Sequence, residues 1–333
     1  MARPDAAERA QAQELNRLIR ERKLDVALTR CEALLSERPE SPWLRCCRAE
    51  ILLKSGDTQR AGRVLQPLVA EYPDHPRVLA LAGERHRLEG RDEEAVRCYA
   101  QSLLRRENAF TRVRLIDTLL RLGRTDEALR ETEFGLKRHP RDPYLLRRRA
   151  RLLAALNRPE DAADTYAQAA RLSRSGYHDQ AEAIRLRLQN IPKAERRKEL
   201  RALLQVGPHD RNPYLHALAA ELDLEAGEVA TAQERLDQAA RLAEGDPAAL
   251  KRIGYLFNRL GAHARVLDTL GQAFVEHPRD VVAQQVLFAA ARKTGNLTRL
   301  RTILTLAYDR HPGFHKLNGL IRKVDKELQR GES

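Results

Sequence analysis

Two His-Pro-Arg-Asp tetrapeptides, His139 to Asp142 and His277 to Asp280, are the segments of this chain closest in type to reacting groups. An Arg-Asp pair acts as a catalytic base in phosphoryl transfer only beside a Gly-rich phosphate loop, a strand lysine and a metal-holding Asp-Phe-Gly. None of these accompanies either copy. No G-x-x-x-x-G-K-S/T loop, G-x-S-x-G elbow or H-E-x-x-H helix occurs elsewhere. The 10 histidines are dispersed. His311 and His315 flank Pro312-Gly313, but a metal site needs three or four convergent ligands. Cys31, Cys46, Cys47 and Cys98 lack paired metal spacing, and the adjacent Cys46 and Cys47 must point to different sides of a helix. They read as small buried hydrophobes in a reducing compartment. The chain is therefore expected to be no enzyme, with no catalytic residue, cofactor or metal.

What remains is arginine. The formal net charge is +13, and the 60 basic residues divide into 10 lysines and 50 arginines. An excess of positive charge favours acidic partners: acidic protein segments, nucleic acid or a membrane surface. Such an arginine skew is also what a GC-rich, bacterial genome produces. Aromatic residues are only 5% of the chain, which disfavours a single-strand binder built on base stacking. Apolar runs such as that from Val286 are far short of a membrane span. The first residues carry scattered charges and no apolar core of a signal peptide, so a cytoplasmic location is expected.

The positioning elements follow from periodicity. From Ser41 to Pro73, Trp43, Cys46, Ala49, Leu52 and Leu53 form one helical face, and Ala61, Val64, Leu65, Leu68 and Val69 form a second. Ser55-Gly56-Asp57 stops one helix and starts the next, and Pro73 ends the pair. The same punctuation recurs. Gly56, Gly90 and Gly123 are spaced 34 and 33 residues apart, Gly227, Gly261 and Gly295 by 34 each, and Pro39 and Pro73, like Pro278 and Pro312, also by 34. A self-similar period of this length marks a stack of helix pairs.

Register within each unit strengthens the signal. Small residues recur in the first helix at Ala49, Gly83, Ala150, Ala220 and Gly254, and alanine recurs early in the second at Ala27, Ala61, Ala95, Ala128, Ala162 and Ala232. Tyr99 and Tyr166 hold an aromatic position one turn later. In period and residue chemistry the chain resembles the tetratricopeptide repeat family, through about nine units beginning near Glu8, Pro42, Pro76, Ala109, Pro143, Tyr177, Pro213, Pro247 and Val281. The resemblance implies an all-α fold: a right-handed α-solenoid of antiparallel helix pairs with a C-terminal capping helix. The expected organisation is a five-repeat array over 8–175, a divergent repeat over 176–212, a three-repeat array over 213–314 and the cap over 315–330. The sixth unit is irregular: Ile191-Pro192 replaces the turn, and Arg196 stands where close crossing needs alanine. It is expected to pack differently. Asn157 replaces a turn glycine, a mild change because asparagine tolerates the left-handed conformation.

The resemblance also implies that the first helix of each unit lines a groove that holds peptides. At the corresponding offsets stand Trp43, Glu50, Lys54, Arg77, Glu84 and Arg87, then Phe110, Arg114, Asp117 and Arg121. Tyr144, Arg147, Arg148 and Arg151 come next, followed by His178 and Arg185, and then by Tyr214, Glu221 and Glu225. Lys251, Arg252, Tyr255, Asn258 and Arg259 follow, with Arg292 and Lys293 last. Arg147, Arg148 and Arg151, with Arg114 and Arg121 on the preceding unit, make the densest basic cluster; guanidinium groups so spaced suit bidentate capture of carboxylates or phosphates. The alternative is a solvated basic face neutralised by nearby acids. Tyr144, Tyr214 and Tyr255 are expected near the rim. The lysine and asparagine clamp for chaperone tails is not matched, since Tyr255 follows Lys251 where asparagine should stand. The run from Lys193 to Arg201 is a second basic patch, expected to face solvent. The function these readings imply is a protein-interaction adaptor holding an acidic or extended partner segment, the alternative being a solenoid that binds nucleic acid; oligomeric state is left open.

Overall fold

The structure is a computed structural model that describes residues 6–21, 23–173, 176–311 and 314–331. Pro312, placed above at a repeat end, and residues 174 and 175, at an expected domain boundary, lie outside them. The described residues form nineteen α-helices, two short 3-10 turns and no strand. They fall into two compact units, Met1–Leu172 and Ser173–Ser333.

The first unit holds five helix pairs: α1 (Ala6–Arg20) with α2 (Leu24–Glu37), α3 (Pro42–Ser55) with α4 (Thr58–Glu71), α5 (Pro76–Leu88) with α6 (Asp92–Arg105), α7 (Ala109–Arg121) with α8 (Thr125–Arg138), and α9 (Pro143–Ala155) with α10 (Pro159–Leu172). Within a pair the connection is only a few residues, so helices that pack along their lengths must run antiparallel. The second unit holds α11 (Tyr177–Arg187), α12 (Lys193–Leu204), α13 (Pro213–Glu225), α14 (Val229–Leu242), α15 (Pro247–Leu260), α16 (His263–Glu276), α17 (Val281–Thr294), α18 (Leu297–Arg310) and the closing α19 (Lys316–Gly331). From α3 onward, every first helix begins at the residue the register names.

Local chemistry explains those boundaries. Pro42, Pro76, Pro143, Pro213 and Pro247 sit in the first turn, where a missing N–H costs no hydrogen bond. Asp57, Asn108, Asp142, Asn212 and Asp246 accept hydrogen bonds from the exposed N–H groups of the turn that follows. The turn glycines are left-handed, with φ from 65° at Gly295 to 82° at Gly56. Asn157, with φ 56°, is the one non-glycine in that region among the described residues. Asn157→Ala is therefore expected to destabilise the first unit by about 1 kcal/mol, whereas Asn157→Gly should be neutral or slightly stabilising. Thermal melting of the two variants checks this.

Packing follows the small residues. Ala27, Ala61, Ala95, Ala128, Ala162 and Ala232 are all fully buried at helix crossings. A Cβ on Gly83 would stand 2.8 Å from the Tyr99 ring, so the missing methyl is what lets that tyrosine lie flat on α5. The adjacent cysteines do diverge: Cys47 packs with Leu15, Cys31 and Ile51, and Cys46 with Ala61, Leu65 and Leu68. Burial pushes the Cys31 thiol up to about 12 and that of Cys47 up to about 11, which keeps both protonated and unreactive at neutral pH.

The irregular sixth repeat does pack differently. Its helices α11 and α12 both pack chiefly on α13, which α14 and α15 also cover. Nine of the thirteen α13 residues are buried as a result. A helix walled in on all sides must be largely apolar all round, and PYLHALAA is so apart from His216, whose buried ring donates to the Asp210 carbonyl (2.7 Å). Arg196 is excluded from any close crossing. Its guanidinium turns back to donate to the carbonyls of Ile191 (2.5 Å) and Gln189 (2.6 Å), closing the 3-10 turn Leu188–Asn190.

Candidate functional site

In the first unit α3, α5 and α7 stand side by side and enclose a groove of about 630 Å³, floored by Tyr99 and Ser102 of α6. Trp43, Glu50 and Lys54 come from α3, Arg77 and Glu84 from α5, and Phe110 and Arg114 from α7. These are residues that the repeat register assigns to the inner face. They converge because each lies at an equivalent position one period apart. Ser102 secures the floor by donating to the carbonyl of Pro76 (2.7 Å), and Asn108 caps α7 through the N–H of Thr111 (3.0 Å).

Four cations line this groove against two carboxylates. Arg77 donates to Glu50 (3.2 Å) and to the Cys47 sulfur (3.3 Å), and its guanidinium lies 5.7 Å from the Trp43 ring centre. Glu84 receives Arg87 twice (2.9 and 2.6 Å) and the Tyr99 hydroxyl (2.7 Å). Burial alone would raise the Glu84 pKa; the hydrogen bonds from Arg87, the charge of Arg114 and the Tyr99 hydroxyl outweigh it and hold the group below the usual carboxylate range. The same burial, with Glu84 alongside, drives the Tyr99 phenol strongly up, so the hydroxyl remains a donor. Lys54 and Arg106 make no ion pair with any described residue.

Elsewhere the basic residues are mostly engaged. Arg121 pairs with Asp92 (2.5 Å), and Arg148 grips Asp117 with two bonds of 2.9 and 2.7 Å. Arg147 lies 5.5 Å from the ring centre of Tyr144, a residue 58% exposed. Arg151 on α9 is exposed and makes no ion pair with a described residue. In the second unit, Arg185 pairs with Glu182 (2.8 Å) and Lys251 with Asp280 (2.5 Å) beside the Tyr255 ring. Arg252 reaches Glu221 and Glu182, and Arg259 reaches Glu221 (2.8 Å). Tyr214 departs from its expected place at the rim: it is 4% exposed, with its ring edge-on to His178 and its hydroxyl donating to Asp246 (3.0 Å). His178 of α11 and Asp246, which caps α15, hold it there. His311 donates from its ring to the Val275 carbonyl (3.0 Å), and no group of three metal-binding side chains occurs among the described residues.

The basic run from Lys193 to Arg201 also differs from expectation. Arg197 and Arg201 face inward to Asp223 of α13, which is fully buried, and to Glu228; Arg235 of α14 approaches the same carboxylate at 2.7 Å. An outward-facing reading treats α12 as the partner of α11. Because α12 lies on α13 instead, its arginines meet that helix's one buried acid. Arg106 is a groove cation that the repeat register misses, because it lies in the connection before α7 rather than on a first helix; its signal is proximity to the Asn108 cap.

Residues 18–84 and 113–177 each match a family model described as a tetratricopeptide repeat. These two segments are tetratricopeptide repeats, a kind of repeat that serves in general as a protein-interaction scaffold, and tandem helix pairs continue the same arrangement through the described residues. Among solved structures it is similar to a tetratricopeptide repeat protein from Parabacteroides merdae, at 17% identity over 78% of this chain and 98% of that one, with a TM-score of 0.47. It is also similar to PilW, a widely conserved type IV pilus biogenesis factor, at 14% identity over 62% of this chain and 97% of that one, with a TM-score of 0.49. A third similarity, to the APC/C hetero-tetramer Cut9-Hcn1, has 14% identity and a TM-score of 0.33 and covers 90% of this chain and 52% of that one, so this chain spans about half its length. A comparison with curated proteins found no match. No described helix is long and apolar enough to cross a membrane.

Proposed function

We propose that the chain is a non-enzymatic adaptor whose first-unit groove holds an extended, acidic segment of a partner protein. The observation that carries this reading is the groove across α3, α5 and α7, with exposed Phe110 and half-buried Trp43 on its walls and a surplus of two cations, Lys54 and Arg106, that no internal acid neutralises. Apolar walls supply contact area, and the surplus charge selects the sign of the ligand. Most other basic residues support the solvated, internally neutralised alternative, so the overall charge of +13 is a poor guide to where a partner sits.

Trp43 is the only tryptophan in the chain, so its emission reports occupancy of this groove. Partners recovered by affinity purification from the native host are to be reduced to segments and titrated against that emission. Reversing both free cations, Lys54→Glu with Arg106→Glu, should weaken an acidic segment by roughly tenfold or more and leave helical circular dichroism unchanged. Equal affinity in the double variant would remove the groove from the reading. A Trp43 response to a single-stranded oligonucleotide, without one to acidic segments, would overturn it in favour of nucleic acid.

A further inference from the structure

We infer that Arg114 and Phe110 together form the subsite that takes a carboxylate side chain flanked by an apolar residue; the inference rests on the groove reading above. Its basis is a buried donor without a bond. The two oxygens of Glu84 already receive two bonds from Arg87 and one from Tyr99. The Arg114 Nε stands 3.5 Å from Glu84, within ion-pairing range, yet it is buried with no hydrogen-bond partner. The other arginines of this face that touch a carboxylate, Arg77, Arg87, Arg121 and Arg148, all donate a hydrogen bond to it. Arg114 is the exception.

The Arg114 side chain is 31% exposed, so its outer donors can meet water, but a buried Nε–H left without an acceptor is costly. A carboxylate arriving in the groove satisfies it. The group is also oriented in advance, because it lies 5.0 Å from the centre of the Phe110 ring, which is itself 62% exposed. Stacking fixes the guanidinium plane, and the ring's free surface offers apolar contact beside the charge. The ligand chemistry that fits is an aspartate or glutamate next to a leucine-like or aromatic residue. A phosphorylated residue is the competing ligand chemistry: a near-dianion doubles its repulsion from Glu84 and Glu50 but also its attraction to the groove's cations, so the peptides below decide against or for it.

The test uses the full chain and three synthetic peptides: glutamates alternating with leucines, the same peptide with lysine for glutamate, and the same with phosphoserine for glutamate. Trp43 emission is the readout. The glutamate peptide should bind, the lysine peptide should not, and Arg114→Gln should weaken the glutamate peptide by at least about tenfold. Phe110→Ala should weaken it as well, Arg114→Lys should recover only part of the loss, and Arg265→Gln, which breaks a pair with Asp237 in the other unit, should have no effect. Circular dichroism confirms the fold of each variant. If the glutamate peptide binds wild type and Arg114→Gln equally, the groove reading stands and this subsite falls. If no peptide changes the emission of the wild-type chain, both fall. Tighter binding of the phosphoserine peptide overturns the carboxylate assignment.

Discussion

Replacing Asp223 with alanine is expected to destabilise the second unit by about 3 kcal/mol, the lower end of the range for removing one partner from a buried ion pair. The reason is the company it leaves. Arg201 and Arg235 each stand 2.7 Å from this fully buried carboxylate, and Arg197 stands 3.8 Å away. Without it, Arg197 and Arg201 keep only Glu228, and Arg235 loses the carboxylate it pairs with. The arginines are partly exposed and regain some hydration, which is why the upper end of the range is not expected. Asp223→Asn keeps the shape and an acceptor oxygen and should cost less. The effect should be local first. Helix α12 buries only Leu200 and Leu204, so the ion cluster supplies much of its hold on α13. Urea unfolding gives the total, and hydrogen exchange should show residues 193–204 losing protection before α13 and α14. A change under about 1 kcal/mol, or uniform loss of protection across the unit, would refute this account.

The second large effect concerns two glycines and has opposite signs. At Gly254, an added Cβ would lie 2.7 Å from the Leu270 Cβ and 3.1 Å from that residue's Cα and backbone nitrogen. A backbone cannot step aside as a flexible side chain can. Gly254→Ala should therefore force α15 and α16 apart and cost about 2–3 kcal/mol. Gly319, inside α19, has nothing within 4 Å of an added Cβ. There the gain from restricting the unfolded chain dominates, and Gly319→Ala should stabilise by about 0.5–1 kcal/mol. Calorimetric melting of both variants decides the matter; matching shifts in the same direction would mean that helix propensity, not close crossing, governs Gly254.

How much of this was legible beforehand differs by residue type. A glycine every 34 or so residues announces a left-handed turn, because only glycine adopts it without strain, and all six of those turn glycines have positive φ. Alanine early in each second helix announces a close crossing, since a larger side chain would hold the helices apart, and all six are fully buried. Prolines name the first turns. These are local requirements, each met by one residue type at one offset, and a repeat states them many times over.

Charge was not legible in that way. Whether an arginine is available depends on acids a full repeat distant: Arg148 on Asp117 and Arg121 on Asp92 are 31 and 29 residues apart, and Arg259 on Glu221 is 38. Offset lists place such side chains on a face without saying which of them meet. Hence Arg114, surplus at Glu84, stands apart from Arg148, fully engaged, although both occupy groove positions. Tyr214 shows the other limit. Its position is regular, but the repeat before it is not, and the irregular packing of α11 and α12 on α13 turns a rim tyrosine into a core one. Repetition specifies helices and crossings because those depend on residue size and backbone conformation; side-chain partners across repeats depend on three-dimensional proximity, which the period alone does not encode.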